Sequence, residues 1–433
     1  MNIEKKLIKR KLSEIVFDEG LYPRIKGHDP EVVQTYARDL EEIEEAEKFI
    51  SLNLNNVLID GKHRFLAYKK RNEGNLEIEV PVFQYQISSD IETYRLACSL
   101  QDKGKALSNE DRQASAKRLY ALGDQSQKDI AKALGVAQPT VSKWLSQTLK
   151  EEKERKREKA LAMWLACATQ EEIAEAIEVT HQSISKIEDE FAKIFQEHKF
   201  ANSSDFEPPI YNIWTTNKKS NAVSHFGNSE PRWLENLLYL YTEPAGIVVD
   251  PFAGSGSTID VCKKRGRRYF VSDRKPIVER EHEIRLHDLI DKEGNVQMPA
   301  VPRWKDVELV YLDPPYWRQA EGQYSQDAED LGNMTIERFN QSLAGIINAF
   351  AKKLRNGKKR FIALIIQPTQ WRADDRVFTD HVGDMLRVVK LPVNMRFSVP
   401  YQTEQYNAQM VQWAKENRRC LVLTREVVVW EVN

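Results

Sequence analysis

Four residues, Asp313-Pro314-Pro315-Tyr316, constrain the fold of this 433-residue chain more than any others. They follow the apolar run Leu309 to Leu312, and two consecutive prolines cannot continue a central strand. A carboxylate, a bend and an aromatic ring are therefore expected at the carboxyl end of a strand, where open α/β sheets bind ligands. A second constraint lies upstream, where Ile247-Val248-Val249 runs into Asp250-Pro251-Phe252-Ala253-Gly254-Ser255-Gly256-Ser257. Glycines placed between a strand and a helix start let the backbone come close to a ligand.

Length predicts two to four domains. With 41% hydrophobic and 30% charged residues there is material for real cores under a well-solvated surface. The formal net charge of -1 gives no global basic field, but the charge is segregated. Lys5 to Lys11 is basic, Glu41 to Glu47 acidic, and Lys150 to Lys159 a mixed run that reads as a solvated helix. Cys98, Cys167, Cys262 and Cys420 lack CxxC spacing, so buried reduced thiols are expected and a metal site is not. The start has no apolar signal core, and no apolar run approaches the roughly 20 residues of a membrane helix. A soluble, cytoplasmic protein is expected.

Three segments follow: an α+β segment over 1–105, an all-α segment over 106–200, and an α/β segment over 201–433. In the first, Val57-Leu58-Ile59 reads as a strand and Asp60-Gly61 as a turn opening a helix. Arg64 beside that helix start is a candidate for an anion or DNA contact, or a surface residue beside a stabilising turn. The stretch resembles the N-terminal domain of ParB-type partitioning proteins, through Tyr22-Pro23-Arg24 and Gly61-Lys62-His63-Arg64. Where that family carries an Asn- and Arg-containing phosphate motif, this chain reads Cys98-Ser99-Leu100-Gln101-Asp102, so nucleoside triphosphate binding is not expected. Lys62 stands where the related sulfiredoxin scaffold needs a cysteine, which excludes sulfinic-acid reduction.

The second segment holds an internal repeat: Ser126-Gln127-Lys128-Asp129-Ile130-Ala131 returns as Thr169-Gln170-Glu171-Glu172-Ile173-Ala174. Each copy opens with a capping box. Gly135 can end one helix in the left-handed region and Pro139 suits the first turn of the next. Small Ala131, Gly135 and an inward Val141 have the spacing of a helix-turn-helix. Gln138, Thr140, Ser142 and Lys143 would then face outward, as short polar and basic groups suited to base edges and phosphates. In the second copy Glu178 replaces Gly135. Trp144, Trp164 and Leu165 read as core.

The third segment predicts strands at Gly246 to Val249, Arg268 to Ser272, Glu308 to Leu312, Phe361 to Ile366 and Leu386 to Lys390. Cys420 to Thr424 and Val427 to Glu431, separated by Arg425-Glu426, are expected to form a tight hairpin ending a mostly parallel sheet. Its motifs offer partners for S-adenosylmethionine. Gly254, Ser255 and Gly256 form the loop, and Asp250 leads into it. Asp273, ending the next strand, is placed to accept both ribose hydroxyls. Asp288 is a candidate for the adenine amino group in a stretch that also reads as an exposed turn. Phe252 can pack on the adenine or fill the core.

An exocyclic base amine is a poor nucleophile because its lone pair is delocalised into the ring. Asp313 and the Pro314 carbonyl can accept its two hydrogens, drawing the nitrogen toward tetrahedral geometry for in-line attack. Pro315 fixes the bend, and Tyr316, with Trp317, can stack on an extruded base. No metal is required.

These motifs resemble the amino-group DNA methyltransferases of the N6-adenine and N4-cytosine kind, from about Pro208 onward. The resemblance implies a Rossmann-like fold, S-adenosylmethionine as cofactor and DNA as partner. It also implies a methionine-end contact from Ser229 and Pro231, within Asn228-Ser229-Glu230-Pro231-Arg232-Trp233-Leu234. Asp before Pro-Pro-Tyr favours adenine over cytosine, and protein-glutamine methyltransferases carry Asn there. A target-recognition domain of usual size is missing; Arg318 to Asn333 and Phe397 to Gln409 are short substitutes. The rival readings are a partition-like regulator with a non-catalytic methyltransferase fold, and an enzyme acting on RNA. Helix-turn-helix and ParB-like proteins commonly pair, so a homodimer is admitted.

Overall fold

A computed structural model describes residues 3–25, 28–100, 107–123, 125–196, 200, 204–215, 229–317, 330–371, 378–400 and 407–433, with backbone alone at 196, 369–371 and 378. The chain divides into two compact units, Met1–Arg155 and Lys156–Asn433.

The first unit opens with β1 (Lys5–Lys11), α1 (Pro30–Arg38), α2 (Leu40–Glu45), β2 (Ile50–Leu52), β3 (Leu58–Asp60), α3 (Lys62–Arg71) and β4 (Glu79–Tyr85). The four strands form one mixed sheet in the order β1-β4-β2-β3. β3 ends as predicted at Asp60, and Gly61 takes φ +100° to start α3. Ile50, Leu52, Leu58 and Val82 are fully enclosed beneath it. Helices α4 (Asp90–Leu100), α5 (Asn109–Ala121), α6 (Gln127–Ala133) and the start of α7 (Gln138–Leu165) pack around Leu119, Ile130, Leu134, Val141 and Leu145. The Ser126 hydroxyl accepts from the Asp129 amide at 3.1 Å and starts α6. Gly135 turns the chain at φ +62° before α7.

The repeat is visible in the second unit as α8 (Gln170–Ile177) and α9 (His181–Gln196), with the Thr169–Glu172 capping box complete. Glu178 adopts φ 56° where its counterpart is a glycine, so the turn geometry is kept against the usual penalty. Ile173, Ile177, Ile184 and Phe191 bury this pair in the same core as the sheet that follows.

That sheet is built from β5 (Ile247–Asp250), β6 (Arg268–Asp273), β7 (Arg285–Leu286), β8 (Val307–Leu312), β9 (Arg360–Ile366), β12 (Val393–Pro400) and β13 (Thr424–Val432). A separate two-stranded piece pairs β10 (Thr369–Trp371) with β11 (Phe378–Asp380). The seven strands lie in the order β12-β13-β9-β8-β5-β6-β7. The pairs β6–β7, β5–β6, β5–β8 and β8–β9 are parallel, and β13 runs antiparallel to both β9 and β12. Strand order reverses between β5 and β8, which makes their carboxyl ends the switch point where such sheets bind ligands. Helices α10 (Pro231–Tyr241) and α11 (Ser257–Lys264) cover one face, and α12 (Ile336–Leu354) and α13 (His381–Val388) the other. Helix α14 (Ala408–Glu416) precedes β13.

Two sequence expectations fail here. Leu386 lies in α13, not in a strand, because the Asp380 side chain caps Gly383 and Val382, Met385 and Val389 share a helical face. Cys420 to Leu423 form no strand, and Arg425-Glu426 is no turn: both residues lie inside β13. Hydrogen bonding along both edges of β13 outweighs the local polarity of that pair. The unrecognised partner is β12, whose first four residues are exposed at the sheet edge and hide the apolar alternation. Cys98, Cys167 and Cys262 are buried, but Cys420 is exposed.

Candidate active site

Two carboxylates emerge side by side at the switch point. Asp250 ends β5 and is 2% exposed. Its Oδ1 accepts from the Phe252 amide at 2.9 Å and its Oδ2 from the Thr258 hydroxyl at 2.5 Å, so it fastens the loop to the first turn of α11. Burial pushes its pKa up to about 7, against those two hydrogen bonds and with help from nearby Asp313 and Asp273.

The sign of the linkage is then fixed. Between about 4, the unfolded value, and about 7 the unfolded chain releases this proton and the folded one keeps it. Asp250 therefore favours folding at acid pH and subtracts stability as pH rises, at roughly 1.4 kcal/mol per unit across the window. Asp250→Asn should remove this slope. In urea denaturation the variant gains on the parent chain between pH 5 and pH 7.5; a constant difference across that range would contradict the assignment.

Gly254 and Gly256 take φ +50° and +81°. A Cβ at Gly254 would meet nothing nearer than the Phe252 carbonyl at 4.0 Å, so the loop's open side faces free space. Half-buried Ser255 lies between them. The Gly254 amide donates to Asp273 Oδ2 at 2.9 Å, and the Lys275 amide donates to Oδ1 at 2.9 Å. Each Asp273 oxygen keeps lone-pair capacity for a further donor. Asp288 is exposed; it accepts from the Ile290 amide and pairs with Arg274 at 3.5 Å. Phe252 is partly buried and packs against the core beneath α12.

Asp313 follows β8, the strand beside β5. Its Oδ1 accepts from the Tyr316 hydroxyl at 2.9 Å and its Oδ2 from the Ser229 hydroxyl. Ser229, 7% exposed, comes just ahead of α10, where Pro231 occupies the first turn. Pro314 is buried and Pro315 half-buried. Burial raises the Asp313 pKa, while Arg425, Ser229 and Tyr316 hold it down. Buried Tyr311, on β8, has its phenol pushed well up by burial.

Trp317 does not join Tyr316 as a base platform. It is 3% exposed, and its indole N–H donates to the Met334 carbonyl at 3.0 Å. The residue that sequence reading missed is Arg425. From β13, its Nη1 donates to Ser229 Oγ at 3.0 Å, and its guanidinium lies 4.9 Å from the Tyr316 ring centre and 5.5 Å from that of Trp233. The only hint was its type, an arginine just before the apolar run Val427 to Trp430.

In the first unit, Gln138, Ser142 and Lys143 are exposed and Thr140 half-exposed along the start of α7. Arg64 is committed internally: it pairs with Asp60 at 2.5 Å and donates to the Phe49 carbonyl at 2.9 Å. Tyr22, Arg24 and Lys62 line one cavity of about 590 Å³, with Lys117 and Arg118. Of the proposed recognition stretches, 318–329 and 401–406 lie outside the described residues, and Phe397 to Pro400 belongs to β12. Among the described residues no cluster of three or more His, Cys, Asp or Glu could hold a metal, and no helix is long and apolar enough to cross a membrane.

The family model described as N6/N4-type DNA methylase matches residues 85–280, a stretch that holds Ser229, Pro231, the glycine loop and Asp273 and stops before Asp313. The chain is 37% identical over 57 residues to the type II methyltransferase M.XycI of Xanthomonas campestris pv. cyanopsidis, covering 13% of this chain and 19% of that protein. The chain thus spans under a fifth of this curated relative. Among solved structures, a S-adenosylmethionine-dependent methyltransferase from Archaeoglobus fulgidus is 12% identical, with a TM-score of 0.25 over 47% of this chain and 94% of that one. A Pnob8-like ParB-N domain is 13% identical, with a TM-score of 0.25 over 34% of this chain and 70% of that one. Residues 85–280, less than half of the chain, are thus similar to the N6/N4-type DNA methylases.

Proposed function

We propose that the second unit transfers a methyl group from S-adenosylmethionine to the exocyclic amine of a DNA base, with N6 of adenine preferred. The observation that carries this reading is the position of Asp313: a carboxylate at the end of β8, beside the glycine loop after β5, held by two hydroxyls.

The residues present fit the cofactor. The open side of Gly254 leaves room for its methionine part, Asp273 suits the ribose, and Ser229 and Pro231 border the methionine end. When bound, S-adenosylmethionine supplies an electrophilic methyl on a positively charged sulfur. Asp313 and the Pro314 carbonyl accept the two hydrogens of the target amine, localising the nitrogen lone pair and aiming it across the crevice. As the new N–C bond forms, the nitrogen sheds one proton, and Asp313 is the nearest base. Tyr316 offers a ring face to an extruded base while its hydroxyl steadies Asp313. Asp at position 313, where Ser would favour cytosine, supports adenine.

DNA engagement by the first unit belongs to the same reading, through Gln138, Thr140, Ser142 and Lys143 on α7. Arg64 is left out because Asp60 already holds it. Lys143→Ala should weaken DNA binding alike on all sequences and reduce the slope of log K against log salt by about one. An unchanged slope by fluorescence anisotropy would remove Lys143 from the interface.

The deciding experiment is tritiated-methyl transfer from S-adenosylmethionine to DNA, RNA and protein, followed by nucleoside analysis. N6-methyladenine from DNA alone is expected. N4-methylcytosine would correct the base, and label in protein or RNA would reject the reading.

A further inference from the structure

Strand β13 alternates its side chains between the two faces of the sheet. Val428 and Trp430 enter the core under α12, whereas Val427 and Val429 enter the core under α10 and α11. Arg425 is in phase with the second pair, so it stands at the end of an apolar row on the face that also holds Tyr311 and Trp233. At that end the row meets the hydroxyls that grip Asp313.

We propose that Arg425 is the positioning residue of the methyl-transfer centre, fixing the Ser229 hydroxyl and the Tyr316 ring so that both present their O–H groups to Asp313. This rests on the reading of Asp313 given under Proposed function. One guanidinium does both tasks because its edge donates to Ser229 while its face covers the ring. A lysine ammonium has no flat face to cover the ring while it donates to Ser229. The contact set forms a chain: Arg425 to Ser229 to Asp313 Oδ2, and Arg425 over Tyr316 to Asp313 Oδ1. Loss of the arginine frees both hydroxyls to swing, and the carboxylate loses its fixed aim at the amine.

The arginine also sets the charge of the centre. The groups facing Asp313 are Arg425 from β13, Tyr311 from β8, Tyr316 from the bend after it, Ser229 ahead of α10, and Asp250 from β5, itself coupled to Asp273 from β6. Among these Arg425 is the cation, and it favours the carboxylate form that accepts from the amine. Removing its charge lets the Asp313 pKa rise further.

The test is steady-state methylation of DNA by the full chain, read as kcat, KM and pH profile. Arg425→Gln should lower kcat by about a hundredfold, the scale of a misplaced reacting group, with little change in either KM, and should move the acid limb of kcat/KM to higher pH. Arg425→Lys should lower kcat with the limb unmoved, since charge stays and the flat fork goes. The double variant Ser229→Ala/Arg425→Lys should lose less than the product of the two single losses, because part of what the arginine does runs through Ser229. If Arg425→Gln fails to fold, the lysine variant and that cycle decide alone. A multiplicative double variant, or wild-type kcat and limb in Arg425→Gln, overturns the proposal. Asp313→Ala separates the layers: if it still methylates DNA, the underlying reading fails; if it is inactive while Arg425→Gln is unaffected, only this inference fails.

Discussion

Asp313→Ala is expected to abolish methyl transfer to DNA, by about a thousandfold or more in kcat, with affinity for S-adenosylmethionine little changed. Alanine removes an acceptor that acts on the amine as its charge develops, the kind of interaction whose loss costs about 10²–10³ in rate per group. It also leaves the hydroxyls of Ser229 and Tyr316 without their shared partner. Asp313→Asn sharpens the test. The amide keeps one acceptor oxygen and nearly the same shape, and either hydroxyl can turn to accept from its NH2. It should retain the geometry while losing the charge, and so fall between wild type and alanine. Because burial raises the Asp313 pKa, the wild-type acid limb should lie above the ordinary carboxylate range, with activity lost as pH falls through it. An alanine variant within tenfold of wild type in tritium transfer would end the case for Asp313.

Gly254→Val should weaken S-adenosylmethionine binding by about a hundredfold, on the scale of an ångström-sized misplacement at a reacting centre. The glycine sits at φ +50° with open space where a Cβ would go, so two effects combine. A β-branched residue in the left-handed region is strained by about 1–2 kcal/mol, and its methyls fill the volume the ligand needs. The Gly254 amide that reaches Asp273 would also shift, disturbing the carboxylate proposed to hold the ribose. Calorimetric titration checks affinity and thermal denaturation checks the fold. A variant that melts a few degrees lower yet binds as tightly as the parent would show that the ligand does not lie against this loop.

What could be read in the sequence follows from where each strand lies. β5, β6, β8 and β9 are central, covered on both faces, and therefore appear as unbroken apolar runs. Their carboxyl ends gave Asp250, Asp273 and Asp313 their places, because chemistry at a switch point needs residues just beyond such runs. β12 lies at the edge with Val393, Asn394, Met395 and Arg396 exposed, so its pattern resembles a loop. Arg425 could not be recognised because its partners, Ser229 and Tyr316, stand 196 and 109 positions away, and only sheet topology brings them together. Trp317 was misjudged for the reverse reason: adjacency to Tyr316 suggested a shared role, yet the bend sends the indole inward to Met334. The second repeat copy shows a similar limit, since capping and turn geometry persist in α8 and α9 while their apolar face packs into the core of the second unit.

The place of β13 has one more consequence. It is the last strand in the chain order but lies between β9 and β12, so it must slot in after both neighbours have been made. Every residue of the glycine loop after β5 precedes it by more than 150 positions. During synthesis, then, the loop after β5 is made well before Arg425, and Arg425 can reach Ser229 and Tyr316 only once β13 has entered between β9 and β12.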